Sequence, residues 1–114
     1  MSKRIEQVNE LIQRELGRVI LREIDFPPGI MVTITRVETS VDLGQSKVYV
    51  SVFPEGKTES ALGILARNIY DIQQGLNKRL KMRIIPRIFF AREKETAEAG
   101  RIESLLEQLK NKRK

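Results

Sequence analysis

The sequence contains no cysteine and no histidine among its 114 residues. Without cysteine it has neither a disulfide framework nor a thiolate nucleophile, and without histidine it lacks the usual general base and the commonest metal ligand. No apolar run approaches the roughly 18 residues that a membrane span requires, and the charged, amphipathic N-terminus differs from a secretory signal. The length suits one domain, which we expect to be cytoplasmic and without metal ions, cofactors or a membrane partner.

Motifs for nucleotide binding and catalysis are also missing. Neither G-x-x-x-x-G-K-[ST] nor G-x-G-x-x-G occurs, which excludes two common phosphate-binding loops. Asp25, Asp42 and Asp71 lie in unrelated predicted elements, so they offer no carboxylate cluster for a metal ion. Ser40 and Ser51 have no histidine to activate them. The sequence therefore predicts that the protein is not an enzyme.

The strongest pattern lies in residues 58–91. Apolar residues recur there at spacings of three and four, which places them on one stripe of an amphipathic helix: Leu62, Leu65, Ala66, Ile69, Ile72, Leu76 and Leu80. The unbroken phase predicts a helix of about 23 residues, about 35 Å long at 1.5 Å per residue. Residues 84–90 then predict a strand, and Pro86 restricts it to a sheet edge or a strand start.

The other elements follow from shorter patterns. Helical spacing predicts a first helix over residues 5–24, ended by two prolines. Residues 30–40 and 46–53 alternate and are rich in β-branched side chains, which predicts an antiparallel hairpin with one buried face. A short apolar stripe predicts a C-terminal helix over residues 102–109, and the basic residues 110–114 predict a mobile tail. The order is α-β-β-α(α)-β, in which the long helix counts as one helix or two, followed by the short C-terminal helix. It indicates an α+β domain, α-β-β-α-α-β, with helices on one face of a small sheet.

Basic residues are concentrated in the same part of the chain as the long helix. Residues 67–92 contain seven basic residues and one acid, which gives +6, the formal net charge of the whole chain. A basic element on a neutral body favours an anionic partner such as a nucleic acid. The alternatives are a solvated helix face and, for the residues near 80, compensation of the negative helix end. The candidate RNA-binding residues are Arg67, Lys78, Arg79, Lys81, Arg83, Arg87 and Arg92.

The predicted order of elements, with its basic second half, resembles the type II KH fold, which binds RNA. A KH domain clamps about four nucleotides with a G-x-x-G loop between its two core helices. No two of the seven glycines in this sequence are three positions apart. Any RNA binding is therefore expected to use contacts other than that clamp.

Four groups of residues together resemble the bacterial ribosome-binding factor A family over nearly the whole chain. The hairpin matches at Val32-Thr33-Ile34-Thr35, Val37-Glu38, Ser40, Asp42-Leu43 and Lys47-Val48-Tyr49-Val50-Ser51-Val52. The passage into the last strand matches at Leu80, Arg83, Pro86 and Phe90. The C-terminal segment matches at Glu98, Gly100, Arg101-Ile102, Leu105-Leu106 and Leu109. The end of the first helix matches at Asp25 and Pro27.

The resemblance implies a single KH-like (type II) domain over residues 1–92 with a three-stranded mixed sheet, a C-terminal segment over 93–109 and a basic tail over 110–114. It implies a non-enzymatic, cytoplasmic assembly factor that binds the small (30S) ribosomal subunit, assists 16S rRNA maturation and acts in cold adaptation. The expected partners are the 30S subunit, 16S rRNA and ribosome-associated GTPases, and the protein is expected to be a monomer. The alternatives are a general single-stranded RNA-binding KH-like protein and a protein-interaction module.

The family replaces the G-x-x-G loop with an Ala-x-Gly bend between its two core helices. Aligned on Leu65 and Leu76, that interhelical bend falls on three residues, none of them glycine: Asn68, Ile69 and Tyr70. Three alternatives stay open: a bend made without glycine, a shallower bend, or a bend moved to Gly75. The unbroken apolar phase favours a gentle bend.

The charge and the resemblance agree on a mechanism in which the basic face of residues 67–92 meets rRNA phosphates. Binding would then stabilise one arrangement of the immature subunit by its higher affinity for that arrangement. Two tyrosines are candidates for stacking on bases. Tyr70 lies at the edge of the apolar stripe and Tyr49 on the strand face opposite the valines; partial core packing is the favoured alternative for both.

Overall fold

The structure, a computed structural model, describes residues 3–93. The elements follow one another as α1 (Lys3–Glu23), β1 (Met31–Thr39), β2 (Gln45–Phe53), a 3-10 turn (Glu55–Lys57), α2 (Thr58–Arg67), α3 (Ile69–Arg79) and β3 (Arg87–Arg92). This order confirms the predicted α+β class and the sequence α-β-β-α-α-β. The helix predicted over residues 102–109 and the tail over 110–114 lie outside the described residues.

The sheet has the order β1-β2-β3, with β1 antiparallel and β3 parallel to the central β2. On β2, Val48, Val50 and Val52 are buried on the helix side, whereas Lys47 and Ser51 are exposed on the opposite face. α1 packs on β1 and α3, and α2 packs on β3. The helices thus cover one face of a three-stranded mixed sheet, as predicted, and no element of residues 3–93 covers the other face.

The helices meet the core through the stripes that their periodicity predicts. α1 buries Val8, Ile12, Leu16, Val19 and Ile20. α1 and α3 approach each other closely at Gly75, where a Cβ atom would lie 2.8 Å from Val19 Cγ1. A larger residue at position 75 would therefore push the two helices apart, which gives this off-stripe glycine a packing role.

The long helix predicted over residues 58–80 is two helices, because Asn68 separates α2 from α3. The backbone N–H and the side-chain Nδ2 of Asn68 both donate to Ile64 O, at 3.2 and 2.8 Å. The Asn68 carbonyl oxygen accepts from the Ile72 N–H at 3.0 Å and so begins α3. The break is made without glycine, since a short amide side chain satisfies a carbonyl at the end of α2. The apolar phase continues across it, with Leu65 and Ile72 both fully buried.

The last strand starts later than its apolar sequence suggests. The prediction over residues 84–90 is wrong at its start, because β3 begins at Arg87 and residues 84–86 form the turn before it. Parallel pairing starts where β2 itself starts, with Gln45 opposite Arg87. Pro86, buried just before the strand, has no N–H to donate to a ladder. β3 is an edge strand, one of the two positions that the proline predicts.

Candidate nucleic-acid interface

α3 separates a buried side from an exposed side. Ile72 and Leu76 are fully buried, whereas Tyr70, Asn77 and Lys78 are exposed on the opposite side. The helix ends at Arg79, and the Leu80 N–H still donates to Leu76 O at 3.1 Å. The exposed side of α3 therefore presents polar, aromatic and cationic groups on a support that is fixed by the core.

Gln73 fixes the turn that follows α3. Its Nε2 donates to Pro86 O at 3.2 Å and to Asn77 Oδ1 at 3.2 Å, and its Oε1 accepts from the Ile88 N–H at 2.9 Å. The side chain thus joins α3 to the first residues of β3 across the turn. Sequence reasoning missed this role; the four-residue spacing of Gln73 and Asn77 was the available signal.

The seven predicted RNA-binding residues do not form one compact cluster. Arg83 and Arg87 share a surface depression with Gln73 on one flank of α3. Lys78 and Arg79 line a groove between α1 and α3 on the other flank. The remaining three are exposed at separate places: Arg67 at the end of α2, Lys81 after α3 and Arg92 at the end of β3.

Two of the seven already have a carboxylate partner. Arg79 Nη1 lies 3.3 Å from Glu15 Oε1, and Arg92 Nη1 lies 3.7 Å from Glu59 Oε2. The other five form no ion pair within residues 3–93: Arg67, Lys78, Lys81, Arg83 and Arg87. These five cations are therefore available to an external anion without first losing an internal partner.

An apolar groove opens between α2, the start of α3 and the edge of β3. Its lining consists of Leu62, Ala66, Ile69, Phe89 and Phe90. Ala66 is exposed rather than buried, although its spacing predicted a place on the apolar stripe. The lining is entirely apolar and includes two phenylalanines, a setting that suits an unpaired base. Sequence reasoning assigned these side chains to packing and so did not find it.

The two tyrosines have different surroundings. Tyr70 is 71% exposed at the junction of α2 and α3, so the favoured expectation of core packing is wrong for this residue. Tyr70 lies two positions before the buried Ile72, which at about 100° per residue places it on the opposite side of α3. Tyr49 is engaged instead: the Arg36 guanidinium lies 3.8 Å from its ring centroid, and its hydroxyl donates to Glu38 Oε1 at 3.1 Å.

Arg36 belongs to a network on the open face of the sheet. A bulge in β1 between Ile34 and Arg36 breaks the regular register. Arg36 Nε and Thr35 Oγ1 donate to Glu93 Oε2, at 3.0 and 2.7 Å, and Arg36 also bonds to Glu38. The Glu93 side chain is only 3% exposed. Its hydrogen bond with Arg36 raises the pKa of that guanidinium, and the contact ties the residue after β3 to β1.

The described residues form neither of two further kinds of feature, a metal-ligand cluster and a membrane-spanning helix. Within residues 3–93, no three side chains among histidine, cysteine, aspartate and glutamate come together as metal ligands. In the same part of the chain, no helix is both long and apolar enough to cross a membrane. The chemistry that the arrangement can supply is the binding of anions by exposed cations and of flat apolar groups by the groove and Tyr70.

Comparison with known proteins gives consistent matches. The family model described as Ribosome-binding factor A matches residues 4–106 of the chain. A protein named ribosome-binding factor A from Nitrosococcus oceani is 34% identical over 106 residues, which are 92% of this chain and 84% of that protein.

Structural comparison agrees with these sequence matches. The crystal structure of ribosome-binding factor A from Thermus thermophilus matches with a TM-score of 0.67 and 29% identity, over 77% of this chain and 94% of that chain. A homology model of the Thermus thermophilus factor, fitted into a cryo-electron microscopy map of a 30S complex, matches with a TM-score of 0.64 and 30% identity over 76% of this chain and 92% of that chain. These matches support the predicted KH-like fold class.

Proposed function

This chain belongs to the ribosome-binding factor A family, and from that premise we propose that it binds the small ribosomal subunit and assists 16S rRNA maturation without catalysing a reaction. The observation that carries the proposal is the set of five cations around α2, α3 and the following turn that have no ion-pair partner within residues 3–93. A homology model of a relative is fitted into a map of a 30S complex, which supports the choice of partner.

In the proposed mechanism, the protein reads the shape and phosphates of rRNA rather than its sequence. Arg83, in the turn after α3, and Arg87, the first residue of β3, share a depression beside Gln73, which bonds to Pro86 and Ile88. Guanidinium groups bind phosphate oxygens through paired, charge-assisted hydrogen bonds, and Lys78 and Lys81 add point charges. Phosphate contacts set position and orientation but carry no sequence information directly. A rigid surface of this kind favours the one rRNA arrangement that fits it.

The apolar groove supplies the second part of the mechanism. It lies next to the junction of α2 and α3, where Arg67 and the exposed Tyr70 adjoin its lining residues in the chain. We assign the groove and the Tyr70 ring to one or two unpaired bases, because single-stranded RNA is bound by stacking on aromatic and apolar side chains. This assignment also supports the second candidate function, a general single-stranded RNA-binding protein.

The family resemblance supports the rest of the proposal. It favours a cytoplasmic monomer that acts beside ribosome-associated GTPases and matters for growth at low temperature. Residues 93–109 and 110–114 are proposed to be a C-terminal segment and a basic tail attached to the KH-like domain of residues 1–92. None of these assignments enters the mechanism above, so each is open to its own test.

The first experiment is co-sedimentation of the full chain with small subunits, large subunits and assembled ribosomes at two salt concentrations. The proposal expects salt-sensitive binding to the small subunit alone, because phosphate contacts release counterions. Equal binding to unstructured RNA and to small subunits would favour the second candidate. Salt-insensitive binding to a protein, with none to RNA, would replace both with an interaction module.

A further inference from the structure

α1 contains five basic and four acidic residues, so its net charge is small, but the two signs are separated in space. Arg14 and Arg18 are 58% and 60% exposed, whereas Glu15, between them in the sequence, is 12% exposed. Arg14, Arg18 and Arg22 are spaced four residues apart and therefore form one row along the helix, about 6 Å between neighbours at 1.5 Å per residue. The C-terminal half of α1 thus presents a row of cations that its net charge does not indicate.

The Glu15 carboxylate contacts three arginines at once, so its single negative charge does not neutralise them all. Its carboxylate lies 3.4 Å from Arg14 Nε, 3.4 Å from Arg18 Nη1 and 3.3 Å from Arg79 Nη1. Burial raises the pKa of Glu15, but the hydrogen bonds and charges of the three arginines outweigh it and lower the pKa overall. One ionised carboxylate therefore holds three guanidinium groups, and the cluster retains two positive charges.

The groove between α1 and α3 extends the cluster. Its lining includes Arg22 and Lys78, neither of which forms an ion pair within residues 3–93, together with Arg79. Two acids, Glu23 and Asp71, lie in the same groove. The cluster and the groove together hold five cations and three acids, so the surface is still positive.

We propose that this surface, formed by Arg14, Arg18 and Arg22 with Lys78 and Arg79, binds a second stretch of RNA backbone. It rests on the proposed function and extends it. Arg83 and Arg87 lie on the opposite flank of α3, so the helix stands between two phosphate-binding surfaces. The protein then bridges two RNA segments, and it binds tightly only where both segments are correctly placed.

The test compares matched charge-removing variants in binding to small subunits. The variant Arg14→Gln/Arg18→Gln/Arg22→Gln changes the α1 surface. The variant Arg83→Gln/Arg87→Gln changes the depression on the other flank of α3. The variant Lys47→Gln/Lys57→Gln removes exposed cations elsewhere. The logarithm of the affinity falls as the logarithm of the salt concentration rises. We expect this fall to be less steep for the α1 variant, by roughly 0.7 to 0.9 for each phosphate that the protein no longer neutralises. We expect the Lys47/Lys57 control to leave the slope unchanged.

Footprinting of rRNA distinguishes one surface from two. The α1 variant should lose protection at nucleotides separate from those that the Arg83/Arg87 variant loses, and the combined variant should lose both sets. Loss of the same nucleotides in both variants would overturn the bridging arrangement. A lysine version of the α1 variant keeps the charge and should keep most of the slope, which separates lost charge from a damaged helix.

The outcomes also separate this inference from the proposed function. If the unaltered protein does not bind small subunits, the proposed function itself fails. If it binds and the α1 variant has the same slope and footprint as the Lys47/Lys57 control, only the second surface is rejected.

Discussion

The open face of the sheet and the exposed side of α3 carry similar side chains in opposite circumstances. On the sheet, Arg36 bonds to the buried Glu93 and to Glu38, and its guanidinium covers the ring of Tyr49. Beside α3, the cations of the following turn form no ion pair within the described part of the chain. The aromatic ring at the helix junction there lies in solvent.

The difference indicates that the internal partner of a basic residue, rather than its residue type, determines whether it stabilises the fold or is available to an external anion. Arg36 could bind a phosphate only by leaving the buried Glu93 carboxylate without its guanidinium partner, which is costly. A solvated arginine such as Arg83 only displaces counterions from the RNA when it binds. The sheet network therefore stabilises the fold, and we propose the surface beside α3 as the binding surface.

The comparison requires the buried side of α3 to hold its exposed side in place, and Leu76→Ala tests this most severely. Leu76 is fully buried, so we expect the free energy of unfolding to fall by about 2–5 kcal/mol. Chemical denaturation measures the decrease. Lys78→Ala, two residues along the same helix, should stay within about 0.5 kcal/mol. Equal decreases for the two variants would show that α3 is not packed in this way.

Replacing Arg36, which bonds to Glu93 and Glu38, should lower the stability of the fold but not its RNA binding. Arg36→Gln leaves the buried Glu93 carboxylate without its guanidinium, and we expect a decrease of about 1–3 kcal/mol in the free energy of unfolding. Arg83→Gln is the matched control and should stay within about 0.5 kcal/mol. In small-subunit binding we expect Arg83→Gln to have the larger effect of the two variants. Only Arg83→Gln should make the dependence of affinity on salt less steep. A reduced slope for Arg36→Gln would erase the distinction between the two surfaces.

Removing four cations around the end of α3 together should weaken binding and leave the fold intact. We expect the variant Lys78→Ala/Lys81→Ala/Arg83→Ala/Arg87→Ala to lower the salt slope by roughly 0.7 to 0.9 for each phosphate left without a cation. Binding is measured by co-sedimentation over a salt series, and circular dichroism checks the fold. An unchanged slope would place the RNA surface elsewhere, with the α1 row as the next candidate.

Tyr70 beside α3 and Tyr49 on the open face of the sheet allow these two surfaces to be compared without a change of charge. Tyr70→Ala should weaken small-subunit binding by about 1–3 kcal/mol if its ring stacks on a base, and the salt slope should stay the same. Tyr49→Ala should have little effect on binding, because the Tyr49 ring is already covered by Arg36. Tyr70→Phe keeps the ring and should bind normally. Equal affinities for Tyr70→Ala and the unaltered protein would remove Tyr70 from the site.

The smallest effect is expected at the ion pair between Arg92 and Glu59. Predicted RNA-binding residues form two ion pairs within residues 3–93, and this pair is the more exposed. Glu59→Gln removes the partner of Arg92, 3.7 Å away, and the carboxylate is 84% exposed. The free energy of unfolding should change by less than about 1 kcal/mol, because exposed pairs contribute little. Binding to RNA should stay equal or increase slightly, since Arg92 is released. A clear decrease in stability would place Arg92 with Arg36 among the structural arginines.

Elements that follow from patterns among residues close together in the sequence were predicted well. Helical spacing gives α1 its buried stripe, and alternation places Val48, Val50 and Val52 on the covered face of β2. Pro86 correctly limited the last strand to an edge or a start, because a residue without an N–H cannot donate to a ladder. The extent of β3 was wrong, because pairing begins where β2 begins, which the apolar run cannot show.

The candidate site was predicted only in outline. The concentration of charge in residues 67–92 is visible in the sequence, but the division of those cations between two flanks of α3 is not. The role of Gln73 depends on carbonyl and N–H groups 13 and 15 residues away. The apolar groove brings Leu62 and Ala66 of α2 beside Phe89 and Phe90 of β3, and this neighbourhood of distant segments is not visible in the periodicity.

Patterns within the sequence are enough to define which segments are helix or strand, which side of each is apolar and where basic residues are concentrated. Which cations keep an internal partner depends instead on how the folded chain brings distant segments together. Arg36 meets Glu93 from 57 positions away, and Arg79 meets Glu15 from 64 positions away. The physical reason is that an ion pair depends on distance in space, whereas periodicity and composition record only distance along the chain.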